Sequence, residues 1–116
     1  MTSEPTVVVH LKEVEVEDRL SESLERRCQA LAADFPEVRR FEITIAQDGN
    51  LGIEVRGHAT GKHTDVATHA AAPEAGPAVD RMLDRIARQL RASHDKRIFA
   101  QRRDAQRHPP KRVQPD

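Results

Sequence analysis

Residues 38–59 hold the feature that most constrains this chain: two runs in which apolar side chains fall at every second position, on either side of Asp48-Gly49-Asn50. In the first run Phe41, Ile43 and Ile45 share one face, with Arg40, Glu42 and Thr44 on the other. In the second, Leu51, Ile53, Val55, Gly57 and Ala59 resume the same alternation. Successive side chains of a strand point to opposite faces, so this period predicts two strands, and the Asp-Gly-Asn between them is a hairpin signal. Such a hairpin has one apolar face, and that face must be covered by a second layer.

The rest of the chain supplies strands and covers. Thr6 to Lys12 alternates Val7, Val9 and Leu11 with Val8 and His10, which predicts a strand. Val16, Leu20, Leu24, Cys28, Leu31 and Phe35 recur at steps of three and four, a single apolar helical stripe that Pro36 ends. After a turn at Gly61-Lys62, Val66, Thr68 and Ala70 predict a weaker fourth strand. Pro73 and Pro77 bracket the start of a long helix from about residue 74 or 77 into the nineties. Beyond Ile98 the segment QRRDAQRHPPKRVQPD has no apolar period and a basic excess, which predicts a disordered tail over 99–116 behind one domain over 1–98. The order is β-α-β-β-β-α. Short turns make the last three strands antiparallel neighbours, and a right-handed crossover makes the first two parallel. The expected fold class is therefore α+β, a four-stranded mixed sheet with two helices packed on one face.

Composition narrows the function. With no Trp or Tyr and only Phe35, Phe41 and Phe99, the core must be aliphatic, and stacking platforms for single-stranded bases are scarce. One cysteine, Cys28, can form no internal disulfide and no thiolate pair, which fits a reducing compartment. No long apolar run suggests a membrane span, and MTSEPT passes straight into the first strand without a leader pattern, so the expected location is cytoplasmic. GHATGK at 57–62 lacks the spacing of a phosphate-binding loop, and no nucleophile stands in a recognisable motif; the chain is not expected to be an enzyme or to carry a cofactor. His58, His63 and His69 share the outward parity of neighbouring strands and could ligate a metal, but an exposed sheet face is ordinarily polar and no acidic or thiol ligand is spaced with them. His94 and His108 read instead as extra cations beside a polyanion.

Charge is the sharper clue. Equal totals of 19 Lys+Arg and 19 Asp+Glu hide an asymmetry, since residues 1–50 carry eleven acids against six bases and residues 51–116 carry eight acids against thirteen bases. From Arg81 onward there are eleven bases and four acids, which points to a polyanionic partner. On the last helix Val79, Met82, Leu83, Ile86 and Leu90 fall within about 100° of arc, and Arg81, Arg85, Arg88 and Arg91 cluster on the far side. Local pairing of Asp84 with Arg81 and Arg88, and of Asp95 with Arg91, is the plainer explanation of such a face. Exposed pairs of that kind contribute only about 0.2–1 kcal/mol and leave a surplus of bases.

Three stretches also carry a family likeness. The strongest is VDRMLDRIARQLRASHDKR at 79–97, through Val79-Asp80, Leu83-Asp84, Ile86-Ala87-Arg88-Gln89-Leu90 and Asp95-Lys96. DVATHAAAPEAGPA precedes it without a gap, and the first helix contributes Leu20, Arg27, Leu31 and Phe35. On these residues, over about 6–98, the chain resembles the ribosome hibernation-promoting factors, also called ribosome-associated inhibitor A or sigma modulation proteins. The resemblance implies a short-type factor that lodges in the small ribosomal subunit, in the channel of messenger and transfer RNA, and silences translation under starvation stress and in stationary phase. It implies ribosomal RNA as partner, no membrane and no small-molecule substrate, no enzyme activity, and a monomer off the ribosome. The RNA-binding residues expected on this basis are Arg81, Arg85, Arg88, Arg91, Lys96 and Arg97, supported by Arg26, Arg27 and the basic tail. Two departures stand out: the family's loop has a Tyr two positions after an acidic residue, where this chain has Gly76 after Glu74, and the first helix is poorer in lysine. The rival expectation is a diverged relative that has left the ribosome and works as a protein-interaction or dimerisation module through its acidic first half or its open sheet. Metal binding ranks third.

Overall fold

In a computed structural model, which describes residues 4–49 and 52–107 (backbone only at 97 and 99–107), the chain folds as β1 (Thr6–Lys12), α1 (Asp18–Asp34), β2 (Val38–Asp48), β3 (Gly52–Gly61), β4 (Thr64–Ala72) and α2 (Ala75–Arg107). The sheet order is β1-β2-β3-β4. β1 runs parallel to β2, while β2–β3 and β3–β4 are antiparallel. This is the expected mixed sheet, and the weakly signalled fourth strand is a full partner, paired with β3 from Ile53–Ala72 to Gly61–Thr64.

The alternation dictates the layers. Phe41, Ile43, Ile45, Val55, Ala59, Val66 and Ala70 are buried on one face, and the α1 stripe (Leu24, Cys28) and α2 stripe (Val79, Met82, Leu83, Ile86, Leu90) are buried against it. Leu51, expected to share that face, lies outside the described residues with Asn50 of the hairpin turn. Helix α1 covers β1 and β2, and α2 covers β3 and β4. Gly57 makes the second arrangement possible: it lies on the buried face, where a Cβ would occupy the space of the Met82 sulfur. Beside it Thr68, buried on β4, donates from Oγ1 to the Met82 carbonyl at 3.4 Å, so this buried hydroxyl is satisfied by the helix it faces.

One boundary differs from the sequence reading. α2 does not stop in the nineties but continues to Arg107, so residues 99–107, expected to begin a disordered tail, are helical. The apolar stripe that announces the helix has run out by Ile98, yet QRRDAQR is made mostly of good helix formers and can prolong a helix already nucleated upstream. Residues 108–116 of that expected tail lie outside the described residues.

Candidate nucleic-acid interface

Packing sets the orientation of the cationic face. Because Met82, Ile86 and Leu90 are fully buried, side chains half a turn away must point to solvent, and Arg81, Arg85, Arg88 and Arg91 are all exposed. The local pairs that could have neutralised them do not form: no ion pair within 4.0 Å links Asp84 or Asp95 to these arginines among the described residues. Arg88 and Arg91 make no hydrogen bond to the described residues and present complete guanidinium forks.

Arg81 and Arg85 behave differently. Arg81 Nη1 donates to the Ala71 carbonyl at 2.9 Å, and Arg85 Nη1 donates to the His69 carbonyl at 2.6 Å. Both acceptors lie on β4, the outer strand on that side of the sheet, so the two side chains cover strand carbonyls that have no β neighbour. Two periodicities coincide here. Four residues along a helix rise about 6 Å and two residues along a strand span about 6.6 Å, so arginines at i and i+4 reach alternate carbonyls of an antiparallel strand. A carbonyl leaves the charge intact and uses one of five guanidinium N–H groups, so each arginine keeps its capacity to hold an anion while its orientation is fixed. Sequence reasoning took these two as equivalent to Arg88 and Arg91 and missed the edge contact; the i, i+4 arginine spacing facing an edge strand was the signal available.

The other expected cations are placed unevenly. Arg26 is exposed on α1, beside a groove lined by Val16, Arg19, Leu20, Ala75 and Gly76. Arg27 turns toward α2 and pairs with Asp80 at 2.5 Å, bridging the two helices. Lys96 is exposed on α2, and the Arg97 side chain lies outside the described residues. His94, read as an additional cation for a polyanion, sits instead on the flank of α2 next to the core: its Nδ1 is 3.0 Å from Glu37 Oε2 and its ring meets Phe35 edge-on at 5.8 Å between centroids. His108 lies outside the described residues.

Comparison with known proteins follows the same line. The sequence profile of the family described as "Sigma 54 modulation protein / S30EA ribosomal protein" matches residues 7–98. The chain belongs to this family. Among solved structures, a ribosomal subunit interface protein from Coxiella burnetii is similar at a TM-score of 0.67 and 15% identity, over 78% of this chain and 98% of that one. The N-terminal domain of Protein Y from Thermus thermophilus is similar at 0.63 and 15% identity, over 73% and 94%. At that identity both likenesses show the fold. No curated individual sequence matches this chain.

As a member of the S30EA family the chain falls among ribosome-associated factors that are not enzymes. The sheet face turned away from its helices is a mosaic of opposite charges. His10 and Arg40 both reach Glu42, at 3.3 and 3.4 Å, Arg56 reaches Glu54 at 3.2 Å, and His58 reaches Asp65 at 2.5 Å. The hydrogen bond from His10, then that from Arg40, holds the Glu42 carboxyl below its usual range. Among the described residues no three metal-ligating groups converge, and His58, one of the three histidines that share the outward parity, is bound to Asp65. No helix of the described residues is long and apolar enough to cross a membrane.

Proposed function

We propose that this S30EA-family chain is a hibernation-type factor that binds small-subunit ribosomal RNA in the channel of messenger and transfer RNA and thereby silences translation in stressed or stationary cells. The observation that carries the reading is the outward face of α2, where Arg88 and Arg91 stand exposed with no carboxylate partner among the described residues and Arg81 and Arg85 are held in fixed directions beside them. Guanidinium forks in a row suit phosphate oxygens, and the two buried phenylalanines, Phe35 and Phe41, leave little with which to stack splayed bases. Recognition is then by backbone and shape, as for folded RNA. Lys96 stands exposed further along α2, and the reading adds Arg26 and Arg97 as supporting cations. The two proteins of similar structure, a ribosomal subunit interface protein and Protein Y, point the same way.

Cosedimentation of the purified chain with small ribosomal subunits tests the proposal. Binding at low salt that weakens steeply as salt rises is the expected result, because each phosphate contact releases counterions. The informative variant is Arg88→Glu with Arg91→Glu, which leaves the β4 edge contacts of Arg81 and Arg85 in place. Absence of binding by the unaltered chain at low salt removes the reading.

A further inference from the structure

The two outer strands of the sheet are finished differently. β4 carries the guanidinium groups of Arg81 and Arg85 on its carbonyls, whereas β1 has no such cap among the described residues. An uncapped edge strand presents a row of unpaired N–H and C=O groups that can template another strand. β1 is also apolar, with Val7, Val8 and Val9 in sequence, and near its end it carries Leu11, the exposed large hydrophobic side chain of the described residues at 46% exposure. Its neighbour across the register, Ile45, is 1% exposed, so Leu11 has the buried parity and lacks only a cover on its outer side.

We propose that β1 is an interface for a second copy of this chain, pairing antiparallel with the partner's β1 about a two-fold axis through Val9. The sequence of the strand complements itself in that register. On the buried face Val9 meets the partner's Val9, and Val7 meets the partner's Leu11, so each copy covers the side chain the other leaves open. On the opposite face Lys12 lies across from the partner's Thr6, and the partner's Glu4 is the next residue on that face, within reach of the ammonium group. Pro5, which can donate no hydrogen bond, stands just outside the paired segment, and Glu13, with φ 57°, turns the chain away at the other end. Pairing of this kind joins two sheets into one of eight strands and leaves both α2 cationic faces uncovered, since α2 lies over the far half of the sheet. A seven-residue seam buries less than a standard interface, so the association belongs to the weak class, with a dissociation constant on the order of micromolar.

This inference goes beyond the RNA reading and uses other residues, so either can fail alone. Sedimentation velocity of the full chain from about 1 to about 200 µM should show the 13.0 kDa species giving way to one of twice that mass. Leu11→Lys should weaken the association about tenfold or more, placing two ammonium groups at the seam, while its circular dichroism, and its thermal midpoint at concentrations where the unaltered chain is monomeric, stay unchanged because Leu11 is already half in water. The register is read with Thr6→Cys combined with Lys12→Cys and a short bis-maleimide, which should link the two copies; native Cys28, fully buried, stays out of the reaction. A chain that is monomeric throughout the range overturns the proposal. So does a dimer indifferent to Leu11→Lys, or one that the paired cysteines fail to link. Small-subunit binding by Leu11→Lys is expected at the unaltered level, and loss of it would show that β1 serves the ribosome and not a second copy.

Discussion

At the scale of single residues, the least conspicuous group on the sequence gives the cleanest physical signal. Cys28 is 0% exposed on α1, and burial pushes its thiol up to about 12, with Arg27 opposing and Glu25 adding a little. A thiol held neutral is neither nucleophile nor metal ligand, so Cys28 has the bland role its place in the apolar stripe suggested. A raised folded pKa contributes stability that is complete below the unfolded value of about 9.0 and is lost as pH climbs toward 12. Stability of the unaltered chain should therefore fall across that alkaline window, and Cys28→Ala should flatten the fall, as read from urea midpoints at stepped pH. Glu42 works in the opposite sense. Its depressed carboxyl contributes above the model-peptide value of 4.5 and is lost as pH falls below it, so Glu42→Gln should soften the acid limb in the same titration.

At the scale of elements, legibility followed the strength of each period. Alternation in β2 and β3 and the four-residue steps of α1 report burial on one face, which is a local property of sequence, and those elements stand where the spacing put them. β4 was harder because Val66, Thr68 and Ala70 are small or polar; its inward face is tiled by a helix that comes close, so it needs little apolar bulk. The far end of α2 was not legible because the stripe that marks a helix marks only the part that packs. The arginine contacts to β4 were hidden for a different reason: they join a helix to a strand edge through backbone carbonyls, which carry no residue signature. Close approach of α2 to β3 rests on Gly57, and a branched side chain there would have to displace the Met82 sulfur from a fully buried site. Gly57→Val should lower stability by about 1–3 kcal/mol through overpacking, measured by denaturant unfolding, and Gly57→Val with Met82→Ala should recover part of the loss.

At the scale of the whole molecule, the division of charge between the two halves of the chain becomes a division in space. The acidic excess comes from Glu4, from Glu13, Glu15 and Glu17 between β1 and α1, from α1 itself and from Glu37, all on the β1–β2 side, and the basic excess lies in α2, whose body covers the β3–β4 side. A chain of zero formal charge can therefore approach a polyanion with one side while the rest repels it, which orients the encounter as well as strengthening it. That arrangement separates the two kinds of arginine experimentally. Arg88→Ala and Arg91→Ala remove cations that touch nothing else among the described residues, so each should weaken small-subunit binding and lower the salt slope of the binding constant by about one unit, with stability unchanged. Arg81→Ala and Arg85→Ala also strip donors from the β4 edge. Those variants should lose binding and, in addition, expose the Ala71 and His69 carbonyls to strand addition, read as species larger than the dimer at high protein concentration. If all four variants shift binding and association alike, the edge contacts have no separate role, and the cationic face acts as a simple field of charge.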